Sequence, residues 1–145
     1  MKFVLLVEGA TEKKSIAKFV KRWLDSRLSQ PVGIQTVNLT CFGDFKKKAP
    51  KKTLNHLNGP DKDQIIAVIG LLDLYGPQFS AFYPPDKTTV EQRYKWAVDY
   101  FQRNVKNLKF LMFFAVHDFS GWLKSQDSKS CTAKNMRNLR FLTFL

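Results

Sequence analysis

Three short runs of the chain are apolar almost without interruption: Phe3-Val4-Leu5-Leu6-Val7, Ile65-Ile66-Ala67-Val68-Ile69-Gly70-Leu71-Leu72, and Phe110 to Val116. A strand with one wet face alternates apolar and polar residues, whereas a strand covered on both faces does not. The runs are therefore expected to be buried strands of a mostly parallel sheet, with Gln64–Leu74 as its central strand. Between them the spacing turns helical. From about Thr11 to Leu28, Ile16, Phe19, Val20, Trp23 and Leu24 share a face with lysines between them, and Thr11 is placed as the cap. From Thr88 to Val105, Val90, Tyr94, Ala97, Val98 and Phe101 do the same. Val32 to Phe42 is the expected second strand, and the lysines of Lys46–Lys52 fall in a loop. A short helix over Thr53–Leu57 follows, and a further helix begins at Phe119. Strands alternating with helices predict an α/β fold, a three-layer sandwich of Rossmann type with helices on both faces.

That topology has a geometric consequence. Glu8, Asp73 and the pair His117-Asp118 each follow an apolar run, so parallel neighbours would deliver all of them to the carboxyl rim of the sheet, where such folds place their ligands. A carboxylate at that rim needs a metal ion or a basic neighbour to offset its desolvation.

The charge balance points to the kind of partner. Lys and Arg number 24 against 12 acidic residues, a formal charge of +12 over 145 residues. Such a surface attracts polyanions, with nucleic acid ahead of an anionic membrane, and the plainer alternative is solubility. Lys13 and Lys14 lie beside the proposed rim, and Lys46, Lys47, Lys48, Lys51 and Lys52 form the backbone-tracking cluster. No base-reading motif accompanies them, so binding should be insensitive to sequence and weakened by salt. The two cysteines, Cys41 and Cys131, make neither a disulfide framework nor a zinc set. Lys2 precedes only five apolar residues, too few for a secretion signal, and no run is long enough to span a membrane. A cytoplasmic protein is expected. No Gly-x-Gly-x-x-Gly follows the first strand, which disfavours dinucleotide binding.

The order strand-Glu8-Gly9-x-Thr11-Glu12-helix, strand-Asp73-x-Tyr75-Gly76, strand-His117-Asp118-Phe119-x-x-Trp122-Leu123 resembles the TOPRIM domain of topoisomerases, primases and overcoming-lysogenization-defect nucleases. Within that group it is most similar to small bacterial TOPRIM-like proteins encoded beside ATPases. The resemblance covers about residues 2–125 and leaves 126–145 as a basic tail with an apolar end. That end would pair with a second copy of the chain or close the sheet. The resemblance implies a phosphoryl-transfer site holding Mg²⁺ or Mn²⁺ and a nucleic-acid-cleaving hydrolase of phage defence, acting with an ATPase partner. Glu8 takes the place of the first acid, metal ligand or general acid/base, and Asp73 that of the metal ligand. Glu12 matches the second acid of the nuclease-type motif, and His117 and Asp118 match the late His-acid-Phe segment.

Three positions depart from the TOPRIM pattern. Tyr75 stands where a second aspartate is usual, Asp118 where the small relatives typically have a glutamate, and Ser120 where a second acid often stands. On the implied site Glu8, Asp73 and Asp118 would ligate the ion, Glu12 would accept a proton or bind a second ion, and His117 would protonate the leaving oxygen. Tyr75 would donate to a phosphate oxygen. Each has a structural alternative: Glu8 and Glu12 as charges at a helix start, Asp73 as a turn residue, Asp118 as a cap, Tyr75 as packing. His56 is expected to be isolated and exposed, and Trp23, Trp96 and Trp122 to be packing residues. The chain as a whole has two alternatives to nuclease activity: a non-catalytic module binding nucleic acid or a partner ATPase, and hydrolysis of a small phosphorylated molecule.

Overall fold

Burial on both faces is what the apolar runs encode. In the computed structural model, which describes residues 1–74 and 81–115 and residues 10–14 by their backbone alone, they become β1 (Lys2–Glu8), β3 (Ile65–Asp73) and β4 (Phe110–Ala115). The less apolar β2 (Gly33–Leu39) has mostly half-buried side chains and lies at an edge. The strand order is β2-β1-β3-β4 and every pairing is parallel. The fold class is the α/β sandwich expected, with both β1 and β3 interior.

The pleat divides the strands between two cores. Phe3, Leu5, Val7, Ala67, Ile69 and Leu71 pack with Ile16, Phe19, Val20, Trp23 and Leu24 of α1 (Ala10–Asp25) on one face. Val4, Leu6, Val68 and Leu72 face the opposite layer, built from α2 (Phe42–Leu57) and α3 (Val90–Val105). Helix α1 begins at Ala10 after Gly9, which sits at φ 89°, so Gly9 and not Thr11 occupies the capping position. A positive φ is the conformation that favours glycine, and the chain turns there from strand to helix. Helix α3 opens on a reciprocal capping box between Thr89 and Gln92. Val90, placed on the packed face by its spacing, is exposed, and Tyr94 and Val98 are half-buried.

The largest departure from expectation is α2. The lysine cluster lies on a sixteen-residue helix that runs from Phe42 through Pro50 to Leu57, not in a loop followed by a short helix. Pro50 withholds the donor that the Lys46 carbonyl would take, an unfavourable feature of a helix interior. Packing outweighs it: Phe42, Phe45, Ala49, Thr53 and Leu57 are buried at helical spacing against the sheet. Gly70 makes the close approach available, because Phe45 Cζ lies 3.2 Å from where a β-carbon would stand.

Candidate metal and nucleic-acid site at the sheet rim

The chain winds outward from β1 to β2, returns, and then winds the other way from β3 to β4. Between β1 and β3 the connections diverge, one to α1 on one face and one towards α3 on the other. Such a switch point opens a crevice beyond the strand ends, the usual ligand position in open α/β sheets. Glu8 is the last residue of β1 and Asp73 the last of β3, so two predicted site acids flank that crevice from neighbouring strands.

Their side chains leave the sheet in different directions. Val7 pairs with Leu71, which sets Glu8 level with Leu72 and Asp73 one residue farther along. By the pleat, Glu8 follows Leu6 towards the α2 layer and Asp73 follows Leu71 towards the α1 layer. Half-buried Glu8 accepts a hydrogen bond from the Phe42 N–H at the start of α2. Burial pushes its carboxyl above the usual carboxylate range, and that hydrogen bond pulls the other way. Asp73 is half-buried at the end of β3.

Carboxylate oxygens are the ligand type that Mg²⁺ and Mn²⁺ take, and with these two side chains on opposite faces an ion could meet both only above the strand ends. Among the described residues no three His, Cys, Asp or Glu side chains gather as a metal-holding group. The third expected ligand, Asp118, lies outside the described residues together with His117, Tyr75, Ser120 and the segment 126–145. Glu12, Lys13 and Lys14 fall in the first turns of α1, so their backbone is at the rim.

The other lysines lead away from it. Lys46 is four residues after Phe42, about 6 Å along the axis, and Lys52 about 15 Å. Lys48 is tied to Asp44 at 2.9 Å, a pairing that holds the Asp44 carboxyl below its ordinary range. His56, expected to be exposed, is half-buried near the end of α2. Its burial, and then the charges of Lys2 and Lys52, lower its proton affinity, with Asp61 opposing.

Two contributions to this region were not anticipated. One is the Phe42 N–H, a backbone group whose signal is only that a helix starts where β2 ends. The other is the ring of Phe82, which packs edge-on against Phe42 at 4.9 Å, Trp96 at 4.7 Å and Tyr100 at 5.1 Å. Phe82 comes from a stretch without regular structure, so neither spacing nor composition marks it.

A family model described as a domain of unknown function (DUF4276) matches residues 7–139. The chain belongs to this family. The DUF4276 match begins at the end of β1 and takes in Glu8, Asp73, Asp118 and part of the basic tail, crossing the boundary drawn at residue 125. No curated protein and no solved structure matches the chain significantly. Among the described residues no helix is long and apolar enough to cross a membrane.

Proposed function

We propose that this protein is a metal-dependent phosphoryl-transfer enzyme that cleaves nucleic acid in the cytoplasm, with its site in the crevice between β1 and β3. The observation that carries the reading is the placement of Glu8 and Asp73 at the ends of the two strands that flank the switch point. A bound Mg²⁺ or Mn²⁺ would neutralise phosphate charge and acidify a water. Glu8 and Asp73, with Asp118, would hold the ion. Where Glu8 is not a ligand, its alternative use is as general acid/base: without an ion beside it, burial makes it a better proton acceptor than a free carboxylate, and the Phe42 N–H orients it. Lys13, Lys14 and Lys46 supply positive charge for the phosphate backbone. The similarity to TOPRIM-like proteins encoded beside ATPases extends the proposal to an ATPase partner and to phage defence.

The test is nicking of supercoiled plasmid with Mg²⁺ or Mn²⁺. Glu8→Gln and Asp73→Asn should each lower the rate about 10²-fold or more, and chelation should abolish it. Equal nicking by the wild type and both variants would refute the reading. A second reading, a module that binds nucleic acid without cutting it, is favoured by the pleat, which sends Glu8 and Asp73 to opposite faces, and by Tyr75 and Ser120 at positions where the TOPRIM pattern it resembles carries acids. It predicts binding that survives chelation in a protein that never nicks.

A further inference from the structure

Helix α3 carries a stripe that the rim chemistry does not use. Arg93, Trp96, Tyr100 and Arg103 recur at helical spacing along one side of α3, a sequence of basic, aromatic, aromatic, basic residues about 15 Å long. Trp96 and Tyr100 stack on each other, with centroids 5.4 Å apart and planes 25° from parallel, and both are half-buried at the margin of the core. Phe82 meets each of them edge-on and fixes the pair from beneath. The exposed Lys46 ammonium of α2 lies 5.4 Å from the Phe82 centroid and 5.6 Å from that of Tyr100. Arg93 lies 5.5 Å from the Tyr83 ring and its Nε donates to the Lys87 carbonyl. Asp99 flanks the stripe.

Arg93 and Arg103 each donate one Nε–H to a local carbonyl, of Lys87 and of Asp99, which fixes the two cations at the ends of the stripe while Lys46 lies over its middle. Rigid, half-buried rings bordered by cations match what unpaired nucleic-acid bases bind: a π-face for the base and an ammonium or guanidinium for each adjoining phosphate. Duplex bases, already stacked, present no free face. The patch also reaches the crevice through one residue, since Phe42 donates its N–H to Glu8 and packs its ring on Phe82. We infer that the α2–α3 surface around Trp96, Tyr100 and Lys46 is a stacking platform for single-stranded nucleic acid, leading the strand towards the crevice. The inference deepens the nucleic-acid reading above by naming a substrate class, and its test is independent of cleavage.

A short oligothymidylate is titrated in chelator, with tryptophan emission as the readout. Saturable quenching is expected at low salt. Tyr100→Leu and Trp96→Leu should weaken binding about tenfold to a hundredfold, the range of base–aromatic stacking. Trp96→Phe should keep affinity within a few-fold while removing most of the emission change. Lys46→Gln should lower the slope of log affinity against log salt by about 0.7. If Trp96→Leu does not fold, Tyr100→Leu and Lys46→Gln carry the test, with circular dichroism confirming their fold. Wild-type affinity in Tyr100→Leu, equal competition by a duplex of the same length, or no binding at low salt would each overturn the inference, the last leaving the patch to a protein partner. Nicking that persists when Tyr100→Leu binds normally would sink the platform alone. Binding that fails in Tyr100→Leu, in a protein that never nicks, would sink the catalytic reading alone.

Discussion

At Gly70 the sheet and α2 approach closely, and adding one methyl group there tests the packing. A β-carbon at Gly70 would stand 2.6 Å from Met112 Sδ, 3.2 Å from Phe45 Cζ and 3.4 Å from Phe110 Cζ. Ordinary contact begins near 3.5 Å, so the thioether must withdraw by about 1 Å and the Phe45 ring by a few tenths. Neither has open space, since Met112 is 2% exposed and Phe45 0%. Overpacking of this kind costs about 1–3 kcal/mol, and the lower entropy of an unfolded chain carrying alanine returns about 0.4–1 kcal/mol. Gly70→Ala should therefore lose about 1–2 kcal/mol, seen in urea unfolding as a midpoint about 0.5–1 M lower. The same substitution in a Met112→Val background should be nearly neutral, because the shorter side chain vacates the contested volume. Additivity of the two changes within about 0.5 kcal/mol would refute the assignment of Met112 as the obstruction. A stabilised single variant would refute the close approach itself.

The Thr53 hydroxyl is fully buried in α2 without a hydrogen-bond partner, so Thr53→Val should raise stability by about 1 kcal/mol, measured by the same unfolding; a loss would show that the hydroxyl is bonded. Glu8 has a folded-state proton affinity raised by burial, so its contribution to stability is present below the ordinary value of 4.5 and is lost as pH rises above it, and Glu8→Gln should be at least as stable as the wild type at neutral pH without metal. Lower stability of Glu8→Gln there would mean that the charge is favourably met. His56 has a lowered proton affinity, so its contribution is present above the ordinary value of 6.5 and is lost as pH falls below it; His56→Gln should flatten the melting profile over that window, and an unchanged profile would count against it.

What could be read from sequence follows from where the information is local. Strands buried on both faces advertise themselves as apolar runs, and a run that ends in an acid places that acid at the rim, which is how Glu8 and Asp73 could be located. Helix α2 was legible in principle, since Phe42, Phe45, Ala49, Thr53 and Leu57 keep helical spacing, but the run of lysines and Pro50 signalled a loop more strongly. Tertiary packing reversed that local preference. The directions of Glu8 and Asp73 depend on the register of β1 against β3, which the pairing of distant residues sets. The place of Phe82 depends in the same way on contacts far along the chain.

The interior position of β1 bears on how the molecule acquires its structure during synthesis. Its residues emerge before those of the other three strands, yet they lie between β2 and a strand that is not complete until Asp73 has been added. A nascent chain that ends earlier holds five consecutive apolar residues with one flank uncovered, the kind of surface that chaperones shield and that invites association. Cooperative folding must wait for β3, and closure across so long a separation makes the process slow relative to one governed by neighbouring contacts.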